Sequence, residues 1–260
     1  MCGIFGFALK KPLSLTKVFK VLERLEVHRY PNETKPVGGY GAGLAVLRKD
    51  GSISLEKTGK TDDVSPARRL SRMVKVEEAA VLVAHVRMPS PQFMENAHLK
   101  ETAQPYLADC RQGLTVVSAH NGYITNYKVL RKKLGEAHVL ESEKVRLIDS
   151  EVIPHIFEKI LEEKKDTEKA LSALHAMLRG SMALSLLQIQ KSEKLLHLVH
   201  SGKTRGLTIW TNAQNEVIFC SRKEPLIQEF KLVLDRGKFK ENITIPYNKN
   251  EKLQRSFALR

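Results

Sequence analysis

The chain has 260 residues, of which 42% are hydrophobic and 28% charged, with 43 Lys and Arg against 29 Asp and Glu for a formal net charge of +14. That balance excludes a disordered chain, a collagen-like repeat and a small disulfide scaffold, and the length suits one large domain or two small ones with a sizeable core. The basic excess raises nucleic acid, an anionic membrane or an acidic protein as partners and does not choose among them.

In chain order, residues 4–9 read as a short apolar strand. Ser14 is placed to cap a helix from Leu15 to about His28, with Leu15, Val18, Leu22 and Leu25 on one face. The glycine- and proline-rich run from Arg29 to Gly43 reads as a loop. Asp50-Gly51 predicts a hairpin between Gly43–Arg48 and Ser52–Lys57. Ala79–Arg87 is a buried strand, and residues 89–113 form a long polar connection of the kind that carries function. Leu114–His120 is a strand, Asn121-Gly122 a turn, and Asn126 a cap for a helix to Leu134. Two consecutive helices, about Ser150–Glu163 and Thr167–Leu178, are followed by strands near Met182–Gln190, Leu195–His200, Leu207–Thr211 and Val217–Ser221. Strands, then two helices, then strands predict an antiparallel α+β domain. The expected division is a domain over 1–230 and a basic extension over 231–260. The extension has eight Lys/Arg against three Asp/Glu and weak patterning, and would complete the fold or dock a partner.

No apolar run approaches the ~20 residues that span a bilayer. The opening apolar run is shorter than the roughly 7–15 residues of a secretory h-region, so no leader is expected. The three cysteines, Cys2, Cys110 and Cys220, make no C-x-x-C pair. This argues against structural zinc and, with no leader, for a reducing cytoplasm. The spacings of His85, His98 and His120 match no compact ligand pattern. Neither a metal nor an organic cofactor is expected.

Cys2 follows the initiator Met, and cysteine is small enough for Met1 to be removed. The mature residue would then join a thiol to an α-amine with a pKa of about 7.7–8, near working pH. Such an amine can act as base for a thiol that is otherwise only slightly ionised. Gly3 and Gly6, in Cys2-Gly3-Ile4-Phe5-Gly6, allow close backbone approach around that thiol.

This opening resembles the class II, or N-terminal-nucleophile, glutamine amidotransferases, such as the glutaminase domains of glucosamine-6-phosphate synthase and amidophosphoribosyltransferase. His28-Arg29-Tyr30 with Tyr40-Gly41-Ala42-Gly43 is similar to the family's H-R-G stretch and following loop, with Tyr30 in place of glycine. Val86-Arg87-Met88-Pro89-Ser90 is similar to its V-R-Y-(S/P)-T strand end, with Met88 in place of an aromatic. Ala103-Gln104-Pro105-Tyr106, Ala119-His120-Asn121-Gly122, Asp149-Ser150-Glu151-Val152, Leu178-Arg179-Gly180-Ser181 and Phe219-Cys220-Ser221 continue the match in order to about residue 225.

The resemblance implies a four-layer αββα sandwich of two antiparallel sheets. It also implies hydrolysis of the side-chain amide of L-glutamine through a Cys2 thioester. In that reading Asn121 and the Gly122 N–H hold the oxyanion, Arg87 binds the substrate α-carboxylate with help from the Ser90 N–H, and Asp149 binds the α-ammonium. Arg29 and His120 support the site. A planar guanidinium fork suits a carboxylate, and fixed donors suit an oxyanion. An alternative role for Asp149 is a helix N-cap. About 35 residues after the match hold no synthase domain, so the ammonia acceptor is expected on a separate chain, with the basic surface as a docking face. The rival readings are an N-terminal-nucleophile amidase for another amide, a basic nucleic-acid-binding protein and a non-catalytic regulatory subunit. Nucleic acid is disfavoured by the absence of a recognition motif and by only 6% aromatic residues.

Overall fold

The computed structural model describes residues 2–191 and 193–259. Its twelve strands are β1 (Gly3–Ser14), β2 (Gly41–Leu47), β3 (Ile53–Gly59), β4 (Glu78–Val86), β5 (Tyr106–Arg111), β6 (Leu114–Ile124), β7 (Gly180–Gln190), β8 (Lys194–Ser201), β9 (Leu207–Thr211), β10 (Val217–Cys220), β11 (Lys240–Ile245) and β12 (Leu253–Ala258). The helices are α1 (Leu15–Val27), α2 (Pro66–Met73), α3 (Tyr127–Leu134), α4 (Val152–Lys164), α5 (Thr167–Met177) and α6 (Lys223–Arg236). Among the described residues no helix is long and apolar enough to cross a membrane.

The strands form two sheets, a seven-stranded one in the order β11-β9-β10-β1-β4-β2-β3 and a five-stranded one in the order β12-β8-β7-β6-β5. Every named pairing is antiparallel. The period of two along each strand divides the apolar residues between two faces. On β4, Leu82, Ala84 and Val86 join Leu22, Leu25, Leu70 and Phe230 in a core beneath α1, α2 and α6. Val81 and Val83 face the other way and meet Val117, Ala119, Leu187 and Leu198 of the second sheet. The outer face of that sheet carries Val116, Leu184 and Leu186 against α3, α4 and α5. The chain is therefore an α+β, four-layer arrangement of two antiparallel sheets between helices, as expected.

Several elements depart from the sequence reading. Strand β1 continues past residue 9 to Ser14, with an irregularity between Ala8 and Leu13. Helix α2 opens on Ser65, whose side chain accepts from the Arg68 N–H, and carries Pro66 in its first turn. The connection 89–113 contains β5. Asn121 and Gly122 are not a turn: β6 runs through both, pairing Asn121 with Ala183 and Gly122 with Met182. The segment after residue 222 holds α6, then β11 on the edge of one sheet against β9, and β12 on the edge of the other against β8.

Candidate active site

Register brings the first residues together. Gly3 pairs with Val86 and Ile4 with His85, so the next step of the ladder sets Cys2 against Arg87. The buried Sγ of Cys2 accepts from the Met88 N–H at 3.3 Å and lies 3.5 Å from the Met88 carbonyl. Cys2 shares parity with Ile4, and Arg87 with Val83. Asn121 shares parity with Val117 and Ala119. All three therefore stand on the faces that meet between the sheets.

Asn121 is fully buried. Its Nδ2 donates to Ser221 Oγ at 3.4 Å, and its Oδ1 has no hydrogen-bond partner. Ser221 Oγ also accepts from the Ile4 N–H at 3.0 Å, and the Ser221 N–H returns to the Ile4 carbonyl at 2.9 Å. Ser221 thus ties Asn121 to the strand that begins at Cys2. At Gly122 an added Cβ would lie 1.9 Å from the Ser181 carbonyl oxygen, which excludes any other residue without parting β6 from β7.

Arg87 is 4% exposed. Its Nη1 donates to Thr102 Oγ1, and its Nη2 donates to the Phe93 carbonyl at 3.5 Å. Burial lowers its pKa, while the facing Tyr106, Cys2 and Asp149 act in the opposite direction. Asp149 is 8% exposed, and its Oδ2 accepts from the Ile124 N–H at 2.8 Å. It does not cap α4, whose N-cap position is Glu151 and carries no side-chain cap bond. The site therefore presents a guanidinium and a carboxylate within electrostatic reach of one another. That is the charge pair needed to hold the two ends of a free amino acid.

Glu151 organises the approach to Asp149. Its carboxylate accepts from the N–H groups of Glu141 at 2.6 Å and Ser142 at 2.8 Å and from the Ser142 hydroxyl. Burial nonetheless raises its pKa. His120 points away from Cys2, into the helix layer. Its Nδ1 is 2.8 Å from Ser150 Oγ and its Nε2 is 3.2 Å from the Ser181 carbonyl. Burial lowers its pKa, against the opposing charge of Asp149. Gln104 clamps the His120 backbone from both sides, donating Nε2 to its carbonyl at 3.1 Å and accepting its N–H at 2.7 Å.

Arg29 and Ser90 are exposed. Ser90 precedes a 3-10 turn over Pro91–Phe93, and its carbonyl accepts the Phe93 N–H at 2.9 Å. The buried charge near Arg29 belongs instead to Glu33. Its carboxylate receives Arg205 Nη1 and Arg222 Nη2, each at 2.5 Å, and the Tyr30 N–H at 3.0 Å. Burial would raise the Glu33 carboxyl, but these donors outweigh it and hold the pKa below the usual value. The Arg222 guanidinium lies 4.2 Å from the centre of the Tyr30 ring, a cation–π contact. The loop so pinned delivers Val37 to Gly3, where a Cβ would come within 2.5 Å of Val37 Cγ1.

Ser221, Gln104, Glu33, Arg205 and Arg222 were not singled out as site-supporting residues by the sequence reading. Only Ser221 and Gln104 had a signal, as members of matched stretches. A depression of about 480 Å³ lined by Tyr30, Arg205, Ser221, Glu224 and Tyr247 opens beside the Ser221 end of this network.

Against known proteins, residues 93–228 match the model of a glutamine amidotransferase domain. The chain is 29% identical over 200 residues to the glutamine–fructose-6-phosphate aminotransferase (isomerizing) of Methanothermobacter thermautotrophicus, a match spanning 75% of this chain and 29% of that protein. It is 30% identical over 195 residues to the amidophosphoribosyltransferase of Escherichia coli, spanning 70% of this chain and 34% of the relative. The chain thus spans about a third or less of the length of these relatives. The solved glutamine phosphoribosylpyrophosphate amidotransferase from B. subtilis superposes with a TM-score of 0.63 at 16% identity, covering 98% of this chain and 49% of that one.

Proposed function

The chain belongs to the class II glutamine amidotransferase domain family, and we propose that it hydrolyses the side-chain amide of L-glutamine and releases the ammonia to a synthase. The observation that carries this reading is the convergence of Cys2, Arg87 and Asn121 between the sheets, with Asp149 in electrostatic reach of Arg87.

In the proposed reaction the α-amine of a processed Cys2 takes the thiol proton and the sulfur attacks the amide carbon. Met1, whose removal this requires, lies outside the described residues. The second proton of Asn121 Nδ2 and the Gly122 N–H hold the developing oxyanion. Fixed donors at such a position are worth several kcal/mol, about 2.7–4 for one donor. The amine then returns its proton to the leaving nitrogen, the C–N bond breaks, and ammonia and a γ-glutamyl thioester remain. Water attacks the thioester, the C–S bond breaks, and glutamate leaves as the thiol is restored. Arg87 and the Ser90 N–H receive the α-carboxylate and Asp149 receives the α-ammonium.

The described residues form the two sheets and their helices. The acceptor site is proposed on a synthase carried by a separate chain, in the cytoplasm. The two curated relatives are named for transfer to fructose-6-phosphate and for phosphoribosyl transfer. Neither acceptor is assigned to this chain.

Intact mass fixes whether the purified protein begins at Cys2, and a coupled glutamate assay then reads turnover. Glutamate formation that disappears in Cys2→Ala supports the proposal. Turnover that survives Cys2→Ala, or a processed enzyme that cleaves other amides and not glutamine, overturns it.

A further inference from the structure

Four side chains outside the glutamine site converge on one point: Cys110 from β5, His138 from the segment after α3, and His155 and Glu158 from α4. Each offers one ligand atom, and these atoms all lie within 4.8 Å of one another. His155 and Glu158 are three residues apart and so share a face of α4. His138, His155 and Glu158 are 0%, 1% and 0% exposed, and Cys110 is half-buried.

Two of the separations are those of a shared coordination sphere. Cys110 Sγ stands 3.5 Å from His155 Nδ1, and Glu158 Oε2 stands 3.3 Å from His138 Nδ1. Two ligands at about 2.0–2.3 Å from one tetrahedral zinc ion are themselves roughly 3.3–3.7 Å apart.

Hydrogen bonding accounts for one of these contacts, Cys110 Sγ with His155 Nδ1, and leaves the rest of the group open. His138 and Glu158 are close yet misaligned, so the pair makes no hydrogen bond. Both ring nitrogens of His138, His155 Nε2 and Glu158 Oε2 are buried without a hydrogen-bond partner. The other carboxylate oxygen, Glu158 Oε1, accepts the Arg111 N–H at 2.9 Å, an outer contact that orients the group.

We propose that Cys110, His138, His155 and Glu158 bind one zinc ion. One sulfur, two nitrogens and one oxygen form a borderline-soft donor set, which suits zinc and not magnesium or calcium. On binding, the Cys110 thiol releases its proton to solvent and four metal–ligand bonds form. Thiolate and carboxylate then balance the 2+ charge between two neutral imidazoles. The protein supplies all four ligands, as in a structural site. Such an ion pins α4 to β5, and α4 begins three residues after Asp149. The absence of local Cys and His pairs argued against a metal. The ligands here come from three segments that only the fold brings together.

The chelator-stripped full chain, titrated with Co²⁺, tests this. The expected result is one tetrahedral Co²⁺ per chain with a thiolate charge-transfer band, displaced by one equivalent of Zn²⁺. The band should persist in Cys2→Ser and vanish in Cys110→Ser, and Glu158→Gln should weaken Zn²⁺ binding at least tenfold. Zn²⁺ should raise the melting temperature of the unsubstituted chain and not of Glu158→Gln. No stoichiometric cobalt band, or one that survives Cys110→Ser, overturns the site. If Cys110→Ser does not fold, Zn²⁺ affinity unchanged in Glu158→Gln overturns it.

Discussion

The sulfur of Cys2 accepts the backbone N–H of Met88 at 3.3 Å, and Met88 follows Arg87 just past the end of β4, the strand that β1 pairs with. One antiparallel ladder therefore sets both the proposed nucleophile and the proposed carboxylate clamp. A slip of one residue between β1 and β4 would turn every side chain of β1 to the opposite face. It would also break the core contacts of Phe5 and Phe7 with Phe230, so the hydrophobic pattern fixes the geometry of the chemistry.

Arg87→Lys is expected to raise KM for glutamine by about 10- to 100-fold with a smaller change in kcat. A charge-assisted hydrogen bond is worth about 1.5–3 kcal/mol, and lysine cannot reproduce the fork. Steady-state kinetics with glutamine check this. An unchanged KM would remove Arg87 from the binding role.

Ser221→Ala is expected to lower kcat more than it raises KM. The change leaves the buried Ile4 N–H without its acceptor, at a cost of about 1–3 kcal/mol, and frees Asn121 Nδ2 from the strand behind Cys2. Thermal melting and kinetics together read both effects. A loss of stability with kcat intact would make Ser221 a purely structural link.

Most strands and helices were legible because alternation and helical periodicity reach over only a few residues, whereas the four-layer arrangement came from the family resemblance. The stretches around Cys2, Arg87, Asn121 and Asp149 were legible because each is local. Strand β5 was hidden by the prolines and polar residues around it, and β11 and β12 by the polar alternation of edge strands. The Asn-Gly pair was read as a turn because its composition favours one. Its long-range pairing with β7 overrides that local preference. The Ser221–Asn121 bond, the Glu33 cluster and the Cys110–Glu158 group join residues far apart in sequence, and no window along the chain contains them.

Acid should destabilise the protein through His85. Its ring is fully buried, and burial foremost, with the nearby Arg87 charge, pushes its pKa down to about 3 from 6.5. A depressed folded pKa gives stability that is present above 6.5 and lost as pH falls from there towards 3. Between about pH 7 and pH 4.5 the unsubstituted chain should lose on the order of 2 kcal/mol more than His85→Leu. Urea unfolding at the two pH values measures the difference. Equal losses would show that His85 is not the group responsible.

Gly122→Ala and Ser90→Ala should separate sharply. The alanine methyl at 122 would meet the Ser181 carbonyl oxygen at 1.9 Å and His120 Nε2 at 2.7 Å. A backbone oxygen cannot swing aside as a side chain can, so β6 and β7 must part where the proposed oxyanion donors sit. The expected loss is about 1–3 kcal/mol or more of stability, together with glutaminase activity. Ser90 is exposed and contributes to the proposed site only through its N–H, which alanine keeps. Its kcat/KM should stay within about twofold of the unsubstituted chain, the range of surface substitutions. Melting temperatures and glutamate release measured on both variants decide the matter. Full activity in Gly122→Ala would show that this peptide is not held against Ser181 as tightly as the 1.9 Å approach requires.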